Sequence, residues 1–287
     1  MAMEKIRTIA VIGAGAMGSQ IAMLCALAGF KTYLQDISET SLQKALDSLK
    51  FQMSRRVEKK RITETEYKMA FARMHLTTDL AEAVGTSDFI VEAIVEKLEE
   101  KRQLFAKLDE LAPKHAILAT NSSTIVNSKI ATATSRPDKV CNMHFFNPPL
   151  KMDLVEVVTG PETSEETART AVKLVKKLGK TPILLRKEIS GFIANRLLGA
   201  MNREALSLLE QGIATHEEID LAAREALGHP MGPFALMDMT GLDVNYYVQL
   251  QQYEESGDPL LKPSRILQEK FEKGELGRKS GKGFYTY

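Results

Sequence analysis

Hydrophobic and polar positions along the chain follow two periods in turn. From Thr8 to Ile12 a short, β-branched apolar run ends at a glycine, as a buried strand does. Between Ala16 and Ala28 the apolar residues Ile21, Leu24 and Ala28 recur at helical spacing, and Gly29 stops the helix. "KTYLQDIS" then predicts a second strand ending at Asp36, which completes a βαβ unit.

The alternation continues. Leu42 to Leu49 has helical spacing, and "KFQMSRRVEKKRITETEYKMAFARM" predicts two helices joined near Arg61–Thr63. Short strands are expected at "HLTT", "DFIVEAI", "AILAT" and "KVCNMHFF". Between them Lys97 to Leu111 forms an amphipathic helix with Leu98, Phe105, Leu108 and Leu111 on one side. "MDLVEVVTG" is a further strand, Thr163 to Leu178 a helix and "TPILLR" the last strand. Strands alternating with helices imply an α/β fold: a Rossmann-like, doubly wound, mostly parallel sheet covered on both faces. From Gly191 onward only helical periodicity is present, in "FIANRLLGAMNREALSLLEQG", "THEEIDLAAREALG" and "FALMDMTGLDVNYYVQLQQYEE". The change of period near Arg186–Ser190 predicts two domains. Residues 1–187 would bind a dinucleotide and carry a helical hairpin insertion near 42–73. Residues 188–287 would be all-helical. No internal repeat or low-complexity segment is evident.

Composition narrows the function classes. The chain of 287 residues has 44% hydrophobic and 26% charged residues, a normal globular balance. A formal charge of +1 gives no general reason to expect nucleic acid or a membrane surface as partner. Cys25 and Cys141 stand in apolar contexts and read as buried, reduced thiols. The stretch "MAMEKIRTIAVIG" lacks the pattern of a secretory signal, and no apolar run approaches the roughly 18 residues of a membrane span. A cytoplasmic protein is therefore expected. His75, His115, His144, His216 and His229 are scattered without ligand spacing, so no metal site is expected.

Chemistry enters first at "IAVIGAGAMGSQIA", where Gly13, Gly15 and Gly18 have the spacing G-x-G-x-x-G between strand and helix. Gly13 permits the tight turn, Gly15 lets the backbone approach a pyrophosphate, and Gly18 lets helix and strand pack closely. Ala16 and Met17 begin the helix, whose unpaired N–H groups attract phosphate. Asp36, 18 residues after Gly18, ends the next strand, where a carboxylate accepts hydrogen bonds from an adenosine ribose. It repels a 2′-phosphate, and "DISET" supplies no Arg or Lys to receive one, so NAD is expected rather than NADP. The competing reading is a glycine-rich turn followed by a surface aspartate.

A second constellation lies more than a hundred residues later. In "CNMHFFNPP" His144 stands near a strand end, where such sheets present ligands, and Asn-Pro-Pro breaks the strand. Glu156 sits among Leu154, Val155, Val157 and Val158, and a carboxylate in an apolar strand needs a partner. If the two strands are neighbours, Glu156 can orient His144 as a general base. Spacing alone is equally compatible with a satisfied core histidine and a surface glutamate on an edge strand.

With these residues assembled, the chain resembles the L-3-hydroxyacyl-CoA dehydrogenases, particularly the bacterial short-chain 3-hydroxybutyryl-CoA type. The resemblance rests on "HFFNPP", "LVEVV", "TNSST", "GFIANRL" and the terminal "GRKSGKGFYTY", and it covers essentially the whole chain in order. It implies NAD-dependent oxidation of a 3-hydroxyacyl-CoA to the 3-oxoacyl-CoA, and the reverse reduction. His144 matches the catalytic base and Glu156 its acidic partner. Ser123 matches the serine contacting the substrate oxygen, and Asn195 the asparagine that completes the site from the helical domain. Glu92, Lys97 and Asn121 match positions lining the NAD site. Read blandly, Ser123 is a helix cap, Lys97 solvated and Asn195 on a helix surface. "SRRVEKKR", Ser54 to Arg61, carries five basic residues and one acid, which as a bare pattern is a solvated helix face or a nucleic-acid patch. By resemblance it belongs to a hairpin that clasps coenzyme A, with Ser54, Arg55 and Arg61 as contacts. The resemblance also implies a homodimer through the helical domain.

Departures from the family pattern are few. "PPLKMDLVE" has Asp153 where lysine is common, Ser190 replaces a usual proline, and "TNSST" replaces Asn-Thr-Ser-Ser. None removes a candidate catalytic group, and all bear on acyl preference. Two other functions stay open. One is a dehydrogenase of a free 3-hydroxy acid such as gulonate, against which the basic hairpin argues. The other is a non-catalytic NADH-binding relative of the lens-crystallin kind, against which the joint presence of His144, Glu156, Ser123 and Asn195 argues.

Overall fold

The structure, a computed structural model, describes residues 6–287. Its first unit begins with β1 (Thr8–Ile12), α1 (Ala16–Leu27) and β2 (Lys31–Gln35), followed by α2 (Glu39–Glu58), α3 (Glu64–Arg73) and β3 (Met74–Thr77). Next come α4 (Leu80–Val84), β4 (Phe89–Glu92), α5 (Leu98–Leu111), β5 (Ile117–Thr120) and α6 (Asn127–Ala131). It closes with β6 (Val140–Phe145), β7 (Leu154–Val158), α7 (Glu165–Lys177) and β8 (Thr181–Leu185). The eight strands form one sheet in the order β3-β2-β1-β4-β5-β6-β7-β8. Alternate residues along a strand serve opposite faces. Ile9 and Val11 join a core with buried residues of α1, α2 and α7, while Ala10 and Ile12 join another with residues of α5 and α6. Burial on both sides explains why β1 and β4 read as continuous apolar runs.

Every strand pair is parallel except β6–β7. A parallel return needs a crossover of about a dozen or more residues. The segment 146–153 is too short for that, so the chain turns straight back and sets His144 directly opposite Glu156.

One feature of the hairpin departs from the sequence reading. Leu42–Leu49 is not a helix of its own. Leu42, Ala45, Leu49 and Met53 are all buried at i, i+3, i+7 and i+11, so one stripe carries α2 without a break through twenty residues. The joint with α3 lies at 59–63, where Thr63 and Glu66 form a reciprocal capping box. The short helices α4 and α6 lie outside the expected elements.

The second unit holds α8 (Ala194–Glu210), α9 (His216–Glu225), α10 (Pro233–Thr240), α11 (Leu242–Ser256) and α12 (Arg265–Glu272). Its core gathers Ala205, Leu206, Phe234, Met237, Leu242, Leu267 and Phe284. Two buried carboxylates fasten the chain's end to it. Asp220 accepts from the backbone N–H of Phe234 and Ala235 and from the Tyr285 hydroxyl, and Asp238 from the N–H of Phe284 and Tyr285 and from the Tyr287 hydroxyl. The stretch expected as a single third helix is divided at Gly241 into α10 and α11. The first unit runs to Phe192, beyond the expected change at Arg186–Ser190, because Phe192 is buried with Val158 and Leu185.

The approach to β6 is held by one ion pair. Asp109, near the end of α5, accepts from Arg136 Nε at 2.5 Å and from the Ser135 N–H and hydroxyl at 2.9 and 2.7 Å. Arg136 also donates to the carbonyls of Pro113, Asp109 and Ala112. Burial opposes ionisation of Asp109, yet the guanidinium and Ser135 outweigh it and hold the carboxyl at about 2. A lowered folded-state pKa gives stability that is complete above the unfolded value near 4 and is lost as pH falls through about 2. Asp109→Asn is expected to cost about 3 kcal/mol by leaving a buried cation unpaired. It should also flatten the fall in stability below about pH 4, as read by denaturant melts across pH.

Candidate active site

The carboxyl ends of β1, β4, β5 and β6 share one edge of the sheet, and β1 is the point from which the strand order runs both ways. At that point lies a cavity of about 800 Å³, lined by the glycine loop, Asp36 and residues of α2 and α5. The three glycines differ in what they do. Gly13 has φ +103°, and a Cβ there would meet the Ala93 carbonyl oxygen at 2.6 Å. A Cβ on Gly18 would stand 1.8 Å from the Gly13 oxygen. At Gly15 a Cβ would meet nothing within 4 Å, so the requirement there comes from the cavity rather than from the fold. Gly15 is also the N-cap of α1, without a side-chain cap and with no acidic residue in the first turn, so the helix offers its N–H groups to an anion. Asp36 accepts from the Ala14 N–H at 2.8 Å and the Ser38 N–H at 2.9 Å, fixing its carboxylate at the cavity wall. These groups fit a dinucleotide: a cradle for its pyrophosphate and an acceptor for its ribose hydroxyls.

Of the residues expected at the cofactor, Gly13, Gly15, Ala16 and Asp36 line this cavity. Met17 packs its side chain against the main core, and Gly18 is buried beneath the loop. Asn121 Oδ1 accepts from the Phe145 N–H at 3.0 Å, tying the end of β5 to the end of β6. Lys97 is exposed at the N-cap of α5 and lines no described cavity. Glu92 is fully buried below the cavity, bonded to Lys101 Nζ at 2.6 Å, the Thr120 hydroxyl at 2.7 Å and the Ile94 N–H at 2.8 Å.

Lys101, not singled out from the sequence, pairs with both Glu92 and Glu96 at this edge. Lys101, itself buried, lies 3.2 Å from Glu96. Glu96 also accepts from the Ser122 hydroxyl, the N–H groups of Ser123 and Thr124, and the Thr124 hydroxyl. Burial opposes its ionisation, but Lys101, Ser122 and Thr124 prevail and hold its carboxyl below the usual range. Glu96 thus shapes the turn that presents Ser123, whose hydroxyl makes no hydrogen bond among the described residues. A signal for Lys101 was present: Leu98, Lys101, Phe105 and Leu108 share the apolar stripe of α5, where a lysine requires a buried acid.

His144 Nδ1 lies 2.8 Å from Glu156 Oε2, and both residues are buried. The rings of Phe146 and Phe192 flank the imidazole at 4.6 and 5.4 Å. With Glu156 ionised, its carboxylate can only accept, which would put the proton on Nδ1 and leave the Nε2 lone pair free. Asn195 stands in the first turn of α8, in the second unit.

A second groove, about 370 Å³, is lined by Arg55, Arg56, Lys59 and Arg61 of the hairpin and by Pro148, Leu150 and Lys151 of the segment that follows His144. Ser54 does not line it and donates its hydroxyl to the Phe51 carbonyl. Arg56, Lys59 and Lys151 join it without having been singled out from the sequence.

A Rossmann-like sheet with a dinucleotide cradle and an oriented histidine at one edge defines an NAD-dependent oxidoreductase. Comparison with known proteins gives the family. Residues 8–189 match the 3-hydroxyacyl-CoA dehydrogenase NAD binding domain, and residues 191–287 its C-terminal domain. A probable 3-hydroxybutyryl-CoA dehydrogenase of Bacillus subtilis is 40% identical, over 99% of this chain and 98% of that protein. The human mitochondrial hydroxyacyl-coenzyme A dehydrogenase is 39% identical, over 98% of this chain and 91% of its own. A crystal structure of (S)-3-hydroxybutyryl-CoA dehydrogenase from Ralstonia eutropha superimposes with a TM-score of 0.94 at 38% identity, covering 99% of both chains. The chain belongs to the 3-hydroxyacyl-CoA dehydrogenase family.

The contrast between the glycines is testable. Gly15→Val puts its side chain into open cavity, so folding stability should fall by no more than about 1 kcal/mol while NADH affinity drops at least about tenfold. Gly18→Val forces a backbone contact and should lower the melting temperature first. Thermal melts and an NADH fluorescence titration on each variant separate the two effects.

Proposed function

We propose that this protein oxidises short-chain L-3-hydroxyacyl-CoA, 3-hydroxybutyryl-CoA above all, to the 3-oxoacyl-CoA, and catalyses the reverse reduction. One observation carries the proposal: the segment leaving the His144 strand is itself a wall of the cationic groove, through Pro148, Leu150 and Lys151. A ligand with its anionic end in that groove is thereby directed toward the histidine. Coenzyme A has such an end, in its 3′-phosphate and pyrophosphate, whereas a free hydroxy acid carries only one carboxylate, close to the carbon that reacts.

When bound, NAD supplies the acceptor for the hydride leaving C3. The chain's own residues do the rest. His144 Nε2 takes the proton of the 3-hydroxyl, and Glu156 holds the ring and stabilises the imidazolium. In the reduction His144 returns that proton to the oxygen. Ser123, presented by the Glu96 turn, and Asn195 on α8 donate hydrogen bonds to the substrate oxygens and keep the reacting centre in line. Arg55 and Arg61 hold the anionic groups of coenzyme A. The relatives named for 3-hydroxybutyryl-CoA support the short chain. Exposed Leu197, Ile213, Leu221 and Leu227 in the second unit support association into a homodimer. Cys25 and Cys141 are free and buried, with burial pushing each thiol up to about 12, which suits a cytoplasmic protein.

The test is NADH oxidation with acetoacetyl-CoA and then with free acetoacetate. Turnover of the thioester alone is expected, with kcat/KM falling as the acyl chain lengthens. Equal use of the free acid would favour a hydroxy-acid dehydrogenase, and inactivity with both despite NADH binding would overturn the assignment. His144→Gln is expected to lower kcat about 1,000-fold and leave NADH affinity nearly unchanged. Reversing the charges of Arg55 and Arg61 should raise KM for acetoacetyl-CoA far more than for NADH.

A further inference from the structure

We propose that Arg56 is a positioning residue for the catalytic edge, coupling the coenzyme A hairpin to the segment that carries the chain away from His144. The inference rests on the function proposed above. Four of the residues on α2 that make its buried stripe, Leu42, Ala45, Leu49 and Met53, are apolar, and Arg56 continues the same register one turn on. Its neighbour Arg55 is exposed, with its guanidinium over the Phe51 ring at 5.6 Å. Arg56 instead turns inward and donates from Nη1 to the Leu150 carbonyl at 3.1 Å. Its Nε is buried and has no hydrogen-bond partner among the described residues.

Leu150 is held from its other side as well. Its N–H donates at 3.2 Å to Oε1 of Gln20, a buried residue of α1, the helix that starts at the glycine loop. The N–H groups of Lys151 and Met152 both return to the Pro148 carbonyl at 2.9 Å, making the segment a closed turn. One peptide unit after another, the chain from His144 to Leu150 is therefore fixed at a single residue by two elements. One is the dinucleotide helix and the other is the coenzyme A hairpin. A cation used only to attract phosphate has no reason to continue the register of a buried stripe and turn its guanidinium to a carbonyl. A side chain that bonds the carbonyl and also lines the groove can do both. It anchors the turn after His144 and reports on it the occupancy of the groove.

The two roles separate by substrate. Acetoacetyl-CoA carries phosphates, whereas acetoacetyl-N-acetylcysteamine carries none. In Arg56→Met, kcat is expected to fall about tenfold with both thioesters, because a slack turn displaces the histidine whatever the ligand. KM for the phosphate-free thioester should change less than about twofold, as it makes no contact with the cation. Arg56→Lys, which can still reach the carbonyl, should recover most of kcat. Amide exchange in the peptide covering 146–152 should be faster in Arg56→Met than in wild type, and this readout needs no substrate. Should Arg56→Met raise KM for acetoacetyl-CoA alone, with kcat and exchange at wild-type values, Arg56 is one more anion contact and the proposal fails. Wild-type inactivity toward both thioesters would remove the proposed function, and the exchange rates would still decide whether Arg56 holds the turn.

Discussion

The antiparallel pairing of β6 with β7 is the constraint on which the proposed catalytic chemistry depends. In a sheet otherwise parallel, one short connection sends the chain back beside itself, and residues directly opposite in such a pair share a face. That places a glutamate from an apolar strand against a histidine near the strand's carboxyl end. Neither residue would be tolerated alone in that position, since a buried unpaired carboxylate is costly. Together they satisfy one another, and in the proposed reaction Nε2 is left to act as the base.

In the proposed reaction the rest of the first unit brings ligands to that atom. The reversal of strand order at β1 opens the cavity in which the glycine loop offers backbone N–H groups and Asp36 a ribose acceptor. The buried Lys101 neutralises Glu92 and Glu96 together, and Glu96 in turn shapes the Ser122–Thr124 turn. The hairpin adds a cationic groove whose opposite wall belongs to the segment after His144. The ion pair between Asp109 and Arg136 steadies the entry to β6, as the contacts of Gln20 and Arg56 steady its exit.

Much of this was legible in the sequence, for physical reasons that can be named. Strands buried on both faces read as apolar runs, and the glycine loop with Asp36 has a fixed offset from the first strand. The nature of His144 and Glu156 was visible, but their adjacency was not, because nothing local states which strands are neighbours. Other features were hidden by averaging over charge. In α2 the intervening polar and charged residues masked a stripe that runs unbroken from Leu42 to Met53. In "VEAIVEK" two glutamates stand four residues apart, and only the folded chain shows that both reach Lys101 and that Glu96 is the one facing the serine turn. The groove residues Lys59 and Lys151 come from distant segments, so only the folded chain unites them. The division of the third helical stretch at Gly241 likewise lay inside what looks like one continuous pattern.

The central claim is that Glu156 fixes His144 as a base with its lone pair on Nε2. Nitrogen-15 chemical shifts of the His144 ring in labelled protein, at a pH where the imidazole is neutral, test it directly. The account predicts a protonated, hydrogen-bonded Nδ1 and an unprotonated Nε2, with the pattern lost in Glu156→Gln. A neutral ring carrying its proton on Nε2, unchanged by that substitution, would contradict it.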